Sequence, residues 1–428
     1  MKEFFVKFKW PAIVFLVGFV IFGAVSAERT FRPSSNNHYV HLADGLLHGR
    51  LHLEGRPPHL NDWAKYDGKW YVSFPPAPGV LMIPGVAIWG LTFNDSLFTL
   101  FFAAAGPALL FLLLQLLCAS GRLDRRPWEI ALLCAVYGLG TVYFFSAVQG
   151  DVWYTAHMVG GVFLLFFLLC SLNGRRPFCA GLFLALAFAC RPPMLLAFPF
   201  FLYELPRSYG PDESAGLGRF VVSAVKKAGV GRLTKRLVLF GLPVVLLICL
   251  LMLMNWARFQ DPFEFGHNYL QVRWIGRIQR WGLFNFHYLS RNLTVALALL
   301  PWISEKAPYI GISLHGLAIW FTTPVLLWVL WPRKHTVFYT FLALSVVFTA
   351  LPSLLYQNSG WVQFGYRFSL DYTVTFMIMI AVGGRRFGKL FWALVLFSIV
   401  VNLFGAITFN RHREYYPGIS TRSYFQPD

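Results

Sequence analysis

The chain has 428 residues, 57% of them hydrophobic and only 13% charged, with a formal net charge of +18. Soluble domains carry about a quarter of their residues as charges, so this composition excludes an ordinary water-soluble protein and assigns the apolar surface to lipid. Nor is the positive charge that of a nucleic-acid binder: much of it lies in short loops beside apolar runs, where Lys and Arg set topology and meet anionic headgroups.

In chain order, apolar runs predict spans near 11–27, 97–118, 128–147, 155–172, 177–190, 193–206, 237–257, 314–331, 336–356, 370–384 and 388–408. The expected fold is an all-α integral membrane protein of about 11 transmembrane helices (10–12), one polytopic domain over 1–428. Lys2, Lys7 and Lys9 precede the first run, which closes on Val25-Ser26-Ala27. That ending fits a cleavable leader, whereas the length of the run favours a retained helix with a cytoplasmic N-terminus. The loops 119–127, 173–176, 207–236, 332–335 and 385–387 are then basic and cytoplasmic, 207–236 being the largest.

The other side carries the unusual chemistry. The first outer loop, 28–77, has helical spacing over 37–48, with Tyr39, Leu42, Ala43, Leu46 and Leu47 in one stripe suited to the membrane surface. A tight turn follows at Tyr66-Asp67-Gly68-Lys69-Trp70-Tyr71. Residues 78–94 are apolar but short and hold Pro78, Gly79, Pro84 and Gly85. A full crossing there would invert the charge pattern, so the segment is expected to be re-entrant or a short span. The second outer loop, 258–313, interleaves Arg273, Arg277, Arg280 and Arg291 with Trp274, Trp281, Phe284, Phe286 and Tyr288. This describes either an interfacial belt or a groove for a lipid-linked phosphate. No repeat of 20–50 residues and no matched pair of interrupted helices appears, which argues against an inverted-repeat transporter.

Tyr39, Ala43, Leu46-Leu47 and Gly49, then Gly68-Lys69-Trp70-Tyr71, then Pro75-Pro76 follow one another in the order and spacing of a known pattern. Further on come the Arg191-Pro192-Pro193 break between two apolar runs and the segment Gln363-Phe364-Gly365-Tyr366-Arg367-Phe368-Ser369-Leu370-Asp371. Together these resemble the GT-C-type polytopic membrane glycosyltransferases, such as protein O-mannosyltransferases and aminoarabinose transferases. The resemblance implies a sugar taken from a polyprenyl-phosphate donor and moved to a lipid, glycan or protein of the cell envelope, with inversion, at the outer face of a bacterial plasma membrane. It implies no soluble cofactor, though some branches use a divalent cation at the donor phosphate. Tyr39, Trp70 and Tyr71 fall on the motif as substrate contacts.

The family's carboxylate just before the Tyr, its general base, is replaced here by Asn36, Asn37 and His38. Neutral Asn cannot take a proton. His38 can, and Asp44 follows five residues after Tyr39, so these two are the candidate bases; Asp62 and Asp67 come later in the loop. His38 and Asp44 also suit a plain interfacial helix. His38 with His41, and His48 with His52, have a zinc-like spacing, but Gly49 interrupts the second pair and no cluster is completed, so no metal site is assigned. Arg191, Arg273, Arg277 and Arg367 are the candidate phosphate or sugar contacts; Arg191 could instead snorkel to headgroups, and Arg367 could pair locally with Asp371. Asp151, at the end of a span, could orient Arg191, and Asp371 is the second supporting carboxylate. Two other classes share such a basic cavity: a carrier or flippase for an anionic lipid-linked substrate, and a non-catalytic scaffold that binds polyprenyl lipid.

Overall fold

A computed structural model describes residues 2–210 and 216–417. The chain begins with α1 (Lys2–Ser26) and α2 (His38–Leu47), then a hairpin of β1 (Trp63–Tyr66) and β2 (Lys69–Val72). Next come α3 (Ala77–Trp89), α4 (Asp95–Ala119), α5 (Pro127–Leu139), α6 (Tyr143–Ala147), α7 (Val152–Ser171), α8 (Pro177–Phe188) and α9 (Pro199–Arg207). The second half holds α10 (Gly216–Ala228), α11 (Val230–Phe259), α12 (Ile275–Trp281) and α13 (Leu289–Leu297). A two-residue hairpin, β3 (Trp302–Ile303) and β4 (Ile310–Gly311), precedes α14 (Ile319–Thr322), α15 (Val337–Leu355), α16 (Leu370–Val382) and α17 (Lys389–Thr408).

Among the described residues six helical segments, not about eleven, are long and apolar enough to cross a membrane: Phe8–Phe31, Asp95–Ala119, Val152–Gly174, Val230–Phe259, Val337–Leu355 and Lys389–Thr408. The other apolar runs break for local reasons. The run at 128–147 stops at Gly140, where Thr141 Oγ1 accepts from the Tyr143 N–H at 3.1 Å and interrupts the helical ladder. The runs 177–190 and 193–206 are parted at Arg191, held extended (φ −144°, ψ 101°) by the proline that follows, and leave only the short helices α8 and α9. The run at 314–331 meets Pro324 and yields only α14 and a 3-10 turn. At ~1.5 Å per residue, the thirteen residues of α3 reach about 20 Å, short of a ~30 Å hydrocarbon core.

α7 is the central post: most of it is buried, packed on α4, α8 and α16. α11 turns most of its surface outward and touches the bundle chiefly through α8. There the backbone carbonyl of Phe240 sits where a side chain on Gly181 would be, so only glycine permits the approach.

Between α1 and α3 lies the segment that shapes the site. The apolar stripe of α2, Tyr39, Val40, Leu42 and Ala43, packs against α3, Val152 and Ala156 of α7, and Trp63 and Val72 of the hairpin. It is thus buried in protein rather than laid along lipid. The hairpin pairs Trp63 with Val72 and Tyr66 with Lys69. Its turn, Asp67-Gly68, has positive φ at both positions, the mirror-image turn that matches strand twist.

Candidate functional site

A cavity of about 320 Å³ lies where this first segment meets α7, the break after α8 and the loop before α16. Its chemistry comes from five sequence-distant places. Asn61 and Asp62 enter from the start of the hairpin, Asp151 and Trp153 from the start of α7, Arg191 from the α8 break, Trp274 from the loop after α11, and Trp361 and Arg367 from the loop before α16.

Arg191 faces the cavity from one side and is anchored from behind. Its Nε donates to Asp371 Oδ1 at 3.1 Å and its Nη2 to Oδ2 at 2.8 Å, a bidentate grip. His157 Nδ1 shares the same Oδ1 at 3.1 Å. The alternative of a local pair between Arg367 and Asp371 is not taken up, because the first turn of α16 directs Asp371 to Arg191 instead. Nor does Asp151 orient Arg191: its Oδ1 accepts from Asn36, at 3.0 Å from Nδ2 and 3.3 Å from the backbone N–H.

Arg367 is buried, 5% exposed, and donates from Nη1 to the Val362 carbonyl at 2.8 Å. Its Nε meets no partner, and among the described residues it forms no ion pair with a carboxylate. The guanidinium lies over Tyr154 and Phe368, 5.6 and 5.5 Å from their ring centres, and Arg191 lies 4.9 Å from the same Phe368 ring. Two guanidiniums thus share one aromatic face. Burial, and to a lesser degree the charge of Arg191, weaken the hold of Arg367 on its proton, while Tyr154 and Asp62 pull the other way.

Asp62 is, with Asp151, one of two carboxylates in the lining. It has a left-handed φ of 58°. Its Oδ2 accepts from Trp153 Nε1 at 3.0 Å. Burial pushes it above the usual carboxylate range, although the Trp153 bond and the charge of Arg367 pull the other way. Asp151 is pushed up for the same reason against its bonds from Asn36.

The structure brings Arg191, Arg367 and Asp151 to one cavity, with Asp371 behind Arg191. It does not bring His38 to the lining. His38 is fully buried, stacks on Trp63 at 4.1 Å, and gives its Nε2 proton to the Asn61 carbonyl at 3.0 Å. Burial lowers it to about 3. Asp44 stands away from the cavity, 3.4 Å from Arg50 Nη2 and 3.4 Å from His48 Nδ1, beside a separate surface pocket. Tyr39 is buried beneath α3, Trp70 lies under Lys65, and Tyr71 packs edge-on against Phe259. Arg273 is exposed, and Arg277 donates to the Gln357 carbonyl at 2.8 Å, supporting the rim from outside.

Asp62 was passed over for residues nearer Tyr39. The one signal for it was an Asp between Asn61 and Trp63 at a strand start, just after Pro57-Pro58. The residues do not fit the divalent cation that the resemblance allows: among the described residues no three His, Cys, Asp or Glu side chains converge, and Asp62 and Asp151 are engaged separately.

No protein-family model matches the chain, and no curated protein matches it. Among solved structures it is similar to the apo oligosaccharyltransferase of Archaeoglobus fulgidus, at 13% identity over 95% of this chain and 56% of that one, with a TM-score of 0.43. It is similar as well to the archaeal oligosaccharyltransferase AglB from the same organism, in complex with an inhibitory peptide and a dolichol-phosphate, at 13% identity, 94% and 56% coverage, and a TM-score of 0.44. The chain spans little more than half the length of these neighbours. No residue role is carried over from so loose a likeness.

Proposed function

We propose that the protein is a membrane glycosyltransferase of the GT-C type, moving a sugar from a polyprenyl-phosphate donor to an acceptor of the cell envelope at the non-cytoplasmic face. The observation that carries this reading is one cavity lined both by an arginine without an ion pair, Arg367, and by a carboxylate without one, Asp62. The two line the same cavity yet form no ion pair with each other. Such separation is costly in a sheltered site unless something fits between.

A single displacement fits that gap. The donor phosphate rests on Arg367 and Arg191, whose guanidiniums neutralise the charge that grows as the bond from the anomeric carbon to the phosphate oxygen breaks. The acceptor hydroxyl approaches from the Asp62 side, forms the new bond to the anomeric carbon, and gives its proton to the carboxylate. A raised carboxylate is the stronger base, and attack opposite the leaving group inverts the anomeric centre. Trp274 and Trp361, edge to face at 5.7 Å, offer stacking surface for the sugar. Asp62 replaces His38 and Asp44 as base in this scheme. His38 is a positioning residue, fixing the Asn61-Asp62 turn through its hydrogen bond.

Ser73 and Phe74 line both the cavity and a small crevice formed by Pro75, Pro76, Phe188, Pro192 and Leu251, with Asn255 and Arg258 of α11 at its polar side. We assign the start of the polyprenyl chain to the apolar side of this crevice.

The test is transfer by purified protein from undecaprenyl-phosphate sugars. Asp62→Asn is expected to abolish transfer while undecaprenyl phosphate still binds, and Arg367→Ala to weaken that binding. A carrier needs no base, so an Asp62→Asn variant that still moves lipid-linked sugar across a bilayer would sink the transferase reading.

A further inference from the structure

A second chamber of about 480 Å³ adjoins the cavity. The two share Asn36, Asp151 and Asn410, so the Asn36–Asp151 pair stands as the partition between them. That wall is tied in place: the Asn36 carbonyl accepts from the Val152 N–H at 3.1 Å, and Ser34 donates its backbone N–H to Asp95 at 2.6 Å.

The two approaches to the cavity differ in kind. One is the small crevice beside α11, walled mostly by prolines, phenylalanines and Leu251. The chamber is polar and carries three arginines, Arg29, Arg32 and Arg413, against two carboxylates: Glu28, exposed, and Asp151, buried and bonded to Asn36. Arg29, half-buried, is fixed by bonds from Nη1 to Gln149 at 2.9 Å and from Nη2 to the Phe409 carbonyl at 3.3 Å. Arg32 and Arg413 stand exposed at the rim, and Arg32 reaches Glu28 only at 3.8 Å, an open pair that holds it weakly. A lipid-tailed donor and a polar acceptor thus have separate doors, and the polar door is lined with cations.

We propose that this chamber receives the acceptor, and that the acceptor carries an anionic group, a phosphate or carboxylate, beside the hydroxyl to be glycosylated. Arg29, Arg32 and Arg413 hold the anion while the hydroxyl passes the Asn36–Asp151 wall toward Asp62. This rests on the transferase reading. The balance is unchanged: the sugar leaves one oxygen for another, the proton goes to Asp62, and the phosphate departs with the bonding pair.

Glycerol 1-phosphate is the probe, titrated against full-length protein in phosphatidylcholine nanodiscs beside glycerol and undecaprenyl phosphate. Glycerol phosphate is expected to bind and glycerol not. The paired variant Arg32→Ala/Arg413→Ala, at exposed positions, is expected to weaken glycerol phosphate by about tenfold or more and leave undecaprenyl phosphate unchanged. Phosphatidylglycerol nanodiscs that displace the probe identify a lipid headgroup as the anion's source; probe binding that survives them identifies a soluble glycan or peptide anion. Equal affinity in wild type and variant, equal binding of glycerol, or competition between probe and undecaprenyl phosphate overturns the proposal. If the probe binds through Arg32 and Arg413 but undecaprenyl phosphate does not bind at all, the chamber stands as an anion site and it is the transferase reading, with the acceptor role, that falls.

Discussion

Arg191 and Asp371, 180 residues apart, meet in a two-point ion pair with the carboxylate wholly shielded from solvent. The pair joins the α8 break to α16 and turns the guanidinium toward the cavity. Removing one member leaves the other charge buried, which typically costs ~3–5 kcal/mol, whereas replacing both with apolar groups of like volume is often close to neutral. Arg191→Ala is therefore expected to lower thermal stability sharply, and Arg191→Met/Asp371→Leu to recover most of it without recovering undecaprenyl phosphate binding. Unfolding followed in detergent, with lipid binding measured on the same samples, separates the two roles. A double variant that binds as wild type does would remove Arg191 from the phosphate site.

With Asp62 as the proposed base, transfer is expected to follow its ionisation. Its carboxyl lies above the usual range because burial disfavours the charge, and the base must be ionised to act. Activity is expected to rise with pH through a midpoint above the ordinary carboxylate value of ~4. Asp62→Asn is expected to cut kcat by about 10²–10⁴-fold with donor affinity little changed. A profile of kcat/KM against pH checks the first point. A flat profile down to pH 4 would contradict the assignment.

Arg367 offers a cleaner test of the proposed phosphate contact, since no carboxylate is ion-paired to it. Charge-assisted hydrogen bonds contribute ~1.5–3 kcal/mol, so Arg367→Ala is expected to weaken undecaprenyl phosphate by at least tenfold. Arg367→Lys keeps the charge but loses the flat guanidinium that lies on Tyr154 and Phe368, and is expected to recover only part of that loss. Equilibrium binding of labelled lipid reads both.

The helical, lipid-facing character of the chain was legible from composition and run length, and the turn at Asp67-Gly68 from its residues alone. The break at Arg191-Pro192-Pro193 was legible as well, as the boundary between the runs 177–190 and 193–206. The run 314–331 is different: hydropathy marks it as one apolar stretch and does not register that Pro324 breaks its ladder. Arg191 and Arg367 stood out because an arginine among apolar residues is costly without a role. Asp62 did not, because its place in one cavity with Arg367 depends on the hairpin folding back on α7, and no spacing within the loop encodes that contact. The partner of Asp371 was open for the same reason: Arg367 is nearer in sequence, Arg191 in space.

His38 gives a prediction about folding rather than chemistry, and one that also arbitrates the base. Buried against Trp63 with its Nε2 proton on Asn61, the ring is held neutral, and burial lowers it to about 3. Unfolded, it titrates near ~6.5. Between those values the unfolded chain binds the extra proton, so the contribution of His38 to stability is present above about 6.5 and is lost as pH falls. Compared with His38→Asn, whose amide can still donate to Asn61, the wild type's stability advantage at pH 7 is expected to shrink by roughly 2–3 kcal/mol at pH 4.5. Denaturant midpoints of both proteins at the two pH values measure it. An advantage that grows in acid would mean a charged, accessible imidazole. If His38→Asn also abolished transfer while Asp62→Asn did not, the proton would go to His38 and not to the carboxylate.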